Sequence, residues 1–180
     1  NADAEVVLMA LSALEELGVK NISVDLGLPS FVPNLINKWQ VENKLAQQLR
    51  GALDRKDVAE VSSLASQIND NAATLFVALM SAAGPAEIAI NKLSSLELRD
   101  DAYQVRSHLE ETVKLIRSGA PRIGLTVDPV EDRSFKYHAG VTFSFYSNGG
   151  DGGHKGIESI IYHLNNDDEC HWQTTFAWRR

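Results

Sequence analysis

The feature that most constrains this chain is the place where its hydrophobic period changes. Near the start, Ile22, Val24 and Leu26 alternate with Asn21, Ser23 and Asp25, the two-residue period of a strand with one buried face. Alternation returns after Pro121. Ile123, Leu125 and Val127 form one run, and Val141, Phe143 and Phe145 form another with Thr142, Ser144 and Tyr146 on its opposite face. Between them, from 30 to 119, the apolar spacing is helical. Strand material at both ends of a helical middle predicts one mostly antiparallel sheet interrupted by a helical insertion. This is an α+β arrangement and not a βαβ series.

Local signals divide the helical parts. Asp3 is the expected cap of a first helix that turns Val7, Leu11, Leu14 and Leu17 to one side and stops at Gly18. Leu35, Ile36 and Trp39 open a second segment that Val41, Leu45 and Leu49 continue, with Gly51 interrupting near its end. Asp57 caps the next, with Val61, Leu64 and Ile68 inward. Leu75 to Met80 belong to another, closed by Gly84-Pro85, and Ile88, Ile90 and Leu93 to one more. Asp100 or Asp101 starts the last, which buries Val105, Leu109, Val113 and Ile116 and ends at Gly119. Beyond Ser147, the run 148–153 is a glycine-rich loop, and Ile157, Ile160, Ile161 and Leu164 suit a short helix or strand.

Composition removes several classes of function. The 180 residues carry a formal charge of −7, without the electrostatic footprint of a general nucleic-acid binder. No apolar run approaches the roughly 18–20 residues of a membrane-spanning helix. The acidic start, Asn1 to Glu5, is unlike a secretory signal, and the one cysteine, Cys170, excludes an intramolecular disulfide framework. A cytoplasmic chain is expected, and the lack of an initiator Met is expected of a piece of a longer gene.

Candidate chemistry lies late in the chain. His138, His154, His163, Cys170 and His171 are donors that suit zinc, but they include no Cys-x-x-Cys pair and spread through an irregular stretch. No metal and no cofactor are expected. The glycines of 149–156 do not make a phosphate loop, because Gly156 follows Lys155 and Ile157 stands where a hydroxyl is needed. The segment from Asp128 to Phe143 remains. Its Arg133 suits bidentate binding of a carboxylate, Tyr137 offers a hydroxyl, and Gly140 allows close backbone approach. A ligand pocket and a charged hairpin turn with a half-buried Tyr both fit these residues.

The same segment resembles the histidine-binding signature of histidyl-tRNA synthetases and their paralogues, Arg-Gly-Leu-Asp-Tyr-Tyr-Thr-Gly-x-x-Phe. Arg133, Tyr137, Gly140 and Phe143 stand at matching positions, while Ser134, Lys136, His138 and Ala139 depart from it. The run 125–129 is similar to the family's approach to this motif, and residues 2–18 are similar to the helix that follows motif 2. Residues 35–57, ending in Arg55-Lys56-Asp57, resemble the insertion of the ATP phosphoribosyltransferase regulatory subunits. Motifs 1 and 2 would precede Asn1. The family's Gly-Gly-Arg-Tyr-Asp is replaced by glycines leading to His154-Lys155, and motif 3 is not recognisable.

The resemblance implies a truncated class II aminoacyl-tRNA synthetase-like core over 1–180, with 30–119 the helical insertion and 148–180 an atypical tail. It implies a non-catalytic regulatory subunit in the first step of histidine biosynthesis, associated with the short catalytic subunit and with itself. L-histidine is the implied feedback effector, at a site formed by Arg133, Tyr137, His138 and Gly140. Tyr137 would meet the imidazole or ammonium, and Arg133 the carboxylate or the pocket wall. Lys136 and His138 would disfavour a ligand ammonium. Two other readings stand beside it: a core fragment of a histidyl-tRNA synthetase that performs ATP-dependent aminoacylation, and a free-standing helical interaction domain over 30–119.

Overall fold

The computed structural model describes residues 1–98, 101–131 and 141–147, and the backbone of two later strands. Helix α1 spans Ala2–Glu16 and strand β1 Ile22–Gly27. Five helices follow: α2 (Phe31–Lys38), α3 (Asn43–Asp54), α4 (Val58–Ser66), α5 (Asp70–Ala82) and α6 (Ala86–Ser94), the last preceded by the two-residue strand β2 (Gly84–Pro85). Helix α7 (Asp101–Gly119) leads to β3 (Gly124–Asp128), β4 (Thr142–Ser147), β5 (Glu158–Ile161) and β6 (Gln173–Ala177).

The two ends of the chain meet in one sheet of order β2-β3-β1-β4. Among the described residues, two of the three pairings in this sheet are antiparallel, β1 with β4 and β2 with β3, while β5 and β6 form a separate antiparallel pair. The central pairing, β1 with β3, is parallel. Adjacent parallel strands need a long crossover, and the helices between β1 and β3 supply it. The sheet is therefore mostly antiparallel around a parallel centre.

Val24 and Leu26 of β1, Leu125 and Val127 of β3, and Phe143 and Phe145 of β4 are buried on one face. They join Val7, Leu11, Phe31, Leu49, Phe76, Leu93, Leu109 and Ile116 from the helices in a single continuous core. The inward stripes follow the sequence spacing except at the end of α1, where Leu17, expected beside Val7, Leu11 and Leu14, is 80% exposed because the helix ends at Glu16.

The structure corrects three local expectations. Asn1, not Asp3, caps α1 by accepting from the Asp3 N–H at 3.1 Å. Asp3 is instead buried, 2.6 Å from His108 Nε2 on α7, while Asn1 Nδ2 donates to Thr112 Oγ1 at 3.0 Å. The helix expected to run through Val41 breaks after Lys38. Gln40 adopts a φ of 51°, and the N–H groups of Gln40 and Val41 return to the carbonyls of Asn37 and Ile36, a Schellman closure. Gly84-Pro85 does more than end a helix. It pairs with Thr126 and Val127 at the sheet edge, where a proline without an N–H is tolerated.

Candidate functional site

The second face of the sheet is polar. The residues that alternate with the core positions are Ser23, Asp25 and Gly27 on β1, Gly124, Thr126 and Asp128 on β3, and Thr142, Ser144 and Tyr146 on β4. Strand register stacks them in three rungs: Gly124–Ser23–Tyr146, Thr126–Asp25–Ser144 and Asp128–Gly27–Thr142. A face open to bulk water would leave β4 alternately exposed. Here Thr142 and Ser144 are buried, as are the core-facing Phe143 and Phe145, so this end of the polar face is enclosed.

Hydrogen bonds organise the rungs. Thr126 Oγ1 donates to Asp25 Oδ1 at 2.5 Å across the parallel pair. Asp128 accepts at both oxygens, from the Val130 N–H at 3.1 Å and from Lys56 Nζ at 2.6 Å. Lys56 comes from the α3–α4 turn, so the helical segment reaches the sheet at this point.

Gly27 is bare for a steric reason. A Cβ built there would lie 2.5 Å from Thr142 Oγ1 and 3.1 Å from Glu131 Oε2. Its absence lets a hydroxyl from β4 and the carboxylate of Glu131, three residues past the end of β3, approach over β1. The face thus presents carboxylates and hydroxyls, groups that accept hydrogen bonds from ammonium or ring N–H donors.

Arg133, Tyr137, His138 and Gly140 lie outside the described residues, as do His154, His163, Cys170 and His171. The structure describes the two points between which that segment runs. It departs after Glu131 beyond β3 and re-enters at Val141 before β4. β3 and β4 flank β1; Glu131 lies over Gly27, its Cβ 3.9 Å from a Cβ placed there, and Thr142, next to Val141, meets Gly27 from β4. Asp25, Thr126 and Lys56 were not singled out by sequence reasoning as site residues. The polar phase of the strand alternation identifies Asp25 and Thr126 once the sheet's second face is treated as a surface of interest. Lys56 has no comparable signal, since a lysine in a turn reads as solvated.

A second concavity sits at the opposite ends of the strands, between the C-terminal part of α1 and the α7–β3 connection, with Leu8, Ser12, Glu15, Lys20 and Arg122 in its wall. Among the described residues, no group of three or more His, Cys, Asp or Glu is arranged to hold a metal ion. No helix among them is long and apolar enough to cross a membrane. The titration shift that stands out lies elsewhere. The Arg117 guanidinium, hydrogen-bonded to Glu87, holds that carboxyl below its ordinary value, with the backbone N–H of Glu87 adding to the effect.

Comparisons with known proteins bear on this geometry. The sequence model of the family described as histidyl-tRNA synthetase matches residues 1–153. The chain is 42% identical over 146 residues to the ATP phosphoribosyltransferase regulatory subunit of Paramagnetospirillum magneticum, covering 81% of this chain and 38% of that protein. It is 39% identical over 148 residues to the subunit of the same name from Rhodospirillum centenum, covering 82% of this chain and 37% of that protein. The chain therefore spans under two-fifths of the length of these relatives. Among solved structures, a Bacillus halodurans ATP phosphoribosyltransferase regulatory subunit/histidyl-tRNA synthetase superposes with a TM-score of 0.68 at 21% identity, over 82% of this chain and 39% of that one. The ATP phosphoribosyl transferase (HisG:HisZ) complex of Thermotoga maritima gives a TM-score of 0.61 at 16% identity, over 81% of this chain and 50% of that one. At these identities the structural likenesses establish the fold, which is that of class II synthetase-like proteins.

Proposed function

The chain belongs to the histidyl-tRNA synthetase family, and from that premise we propose that it serves as a regulatory subunit of ATP phosphoribosyltransferase and not as an aminoacylating enzyme. The observation that carries this reading is the 42% identity, over 146 residues, to a protein of that name. The role is non-catalytic: the chain associates with the short catalytic subunit of a glycosyltransferase and enables its reaction at the start of histidine biosynthesis. The helices of 30–119 belong to this reading as an insertion between strands of one sheet. A free-standing helical module is disfavoured because β1 and β3, on either side of those helices, are adjacent in that sheet.

L-Histidine is the proposed effector. Feedback requires that it bind one assembly state more tightly than another, since a ligand without that difference shifts nothing. The polar face supports such a site. Its carboxylates and hydroxyls suit the N–H groups of an amino acid, and Arg133 and Tyr137 belong to the segment between Glu131, which lies over Gly27, and Val141. In this proposal Arg133 meets the carboxylate, Tyr137 the imidazole or ammonium, and His138 and Gly140 complete the site.

Mixing the chain with purified short-form catalytic subunit should raise the rate of ATP phosphoribosyltransferase and shift the sedimentation of both. No change in either counts against the reading. Histidine titration calorimetry then tests the site. Arg133→Ala and Tyr137→Phe should each weaken binding by about 1.5–3 kcal/mol, the usual effect of losing a hydrogen bond to a charged group. Unchanged affinity in both variants removes these residues from it.

A further inference from the structure

The Arg55-Lys56-Asp57 turn divides its side chains between two tasks. Arg55 pairs with Glu60, and Asp57 caps α4 by accepting from the Glu60 N–H at 2.9 Å. Both contacts close the helical segment on itself. Lys56 reaches outward to Asp128 Oδ2, 2.6 Å away and 72 residues further along the chain. Its backbone has a φ of 56°, a conformation that L side chains disfavour and glycine adopts freely. The N–H groups of Lys56 and Asp57 return to the carbonyls of Leu53 and Ala52 at 3.0 Å each. This is the Schellman closure of α3, whose left-handed position glycine usually fills. The turn needs no lysine side chain there; the sheet receives it.

At the receiving end, Asp128 is engaged at both oxygens. Its Oδ1 accepts from the Val130 N–H, which fixes the direction in which the chain leaves β3. Its side chain is 19% exposed and that of Lys56 45%, so the carboxylate is shielded while the ammonium stays open to water. The neighbouring acids are Glu131, whose carboxylate lies over Gly27, and Asp25 one rung away on the same face. A carboxylate held at one oxygen by the helical segment, and at the other by its own strand exit, joins two elements that are otherwise distant in sequence.

We infer that Lys56 is a positioning residue: through Asp128 it sets the exit of β3 and ties the polar sheet face to the helical segment. The consequence for effector binding rests on the function proposed above. A ligand that binds at that face then favours one placement of the helices, which is how occupancy of the face is passed to the α3–α4 turn.

The test uses the chain with Lys56→Gly and Lys56→Arg. Lys56→Gly keeps the Schellman closure, relieves the left-handed backbone and removes the bridge, so Tm should hold or rise. Amide exchange at Val130 should nevertheless accelerate about two- to fivefold, the range for a modest ion pair, and histidine affinity should fall by a similar factor. Lys56→Arg should restore both. A residue that served only the turn would leave Val130 unmoved, so unchanged exchange there overturns the inference. Faster exchange with unaltered histidine affinity overturns the link to the effector. A wild-type chain that takes up no histidine sinks the effector reading, while the Val130 measurement still decides the tie.

Discussion

The sheet with its flanking helices and the α3–α5 segment are held together on different scales. Around the sheet, polar ties join residues far apart in sequence. Asn1 bonds Thr112, Asp3 faces His108, Thr126 bonds Asp25, and Ser147 Oγ donates to the Lys20 carbonyl across 127 positions. Within α3–α5 the caps and side-chain bonds are local. Asp57 and Asn69 each accept from an N–H three residues on, Thr74 and Ser66 return to carbonyls four residues back, and Arg55 pairs five residues ahead. The contrast separates what each region needs in order to form. The helices carry their own boundary signals, whereas the sheet exists only when both ends of the chain are present. Lys56 is where the local region reaches into the long-range one.

The largest effect expected is on the core that the two regions share. Phe76 lies in α5, fully buried and edge-to-face with Trp39 at 5.6 Å, and Phe145 is its fully buried counterpart on β4. Phe76→Ala and Phe145→Ala should each destabilise by about 3–5 kcal/mol. Because one hydrophobic cluster contains both residues, each should lower the same single calorimetric transition. Two separated transitions in Phe76→Ala would show that the regions unfold independently and would break the comparison as drawn.

A smaller effect isolates the sheet. Gly27→Ala drives a methyl to 2.5 Å from Thr142 Oγ1, and a β-branched Thr has little rotamer freedom with which to move aside. Overpacking of this kind costs about 1–3 kcal/mol. Adding Thr142→Ala should recover part of the loss in a chemical denaturation series, and no recovery would place the strain elsewhere.

The smallest effect lies at the α6–α7 joint. Arg117 there donates to Glu87 Oε1 at 2.5 Å and to the Ile123 carbonyl at 2.5 Å. The folded-state pKa of Glu87 is lowered, first by the side-chain hydrogen bond from Arg117. Its contribution is therefore fully present above the unfolded glutamate value of 4.5 and is lost as pH falls through the lower folded value. An exposed pair of this kind contributes no more than about 1 kcal/mol. Glu87→Gln should flatten the acid limb of the stability–pH curve by that amount and leave neutral stability within the same margin. An unchanged acid limb would assign the slope to other carboxylates.

The expectations held best where the signal was local. Asp57 reads as a cap and is one, and spacing alone finds Val7, Leu11 and Leu14 of α1 and Leu109, Val113 and Ile116 of α7, though Leu17 is exposed and Val105 only partly buried. Where a signal competed with a distant partner, the partner prevailed. Asp3 is a good capping residue by type, yet His108 on α7 takes its carboxylate and Asn1 performs the capping. Trp39 and Val41 are in phase for one continuous helix, yet Gln40 closes α2 early and Trp39 packs on Phe76. The proposed histidine segment is legible as a motif, and its roots beside Gly27 became visible only through the strand register. The polar face beside those roots combines three strands, and no one stretch of sequence contains it.

What the sequence determined by itself is where strand period gives way to helical period, most of the apolar positions in each part, and the family motif around Arg133 and Tyr137. Hydrophobic period, capping chemistry and motif spacing are properties of neighbouring residues and can be read along the chain. What only the tertiary structure decided is that β1 runs parallel to β3, that Gly27 must be bare, and that Lys56 reaches Asp128. These are contacts between residues brought together by folding, and strand order, close approach and pairing of charge have no imprint on local spacing.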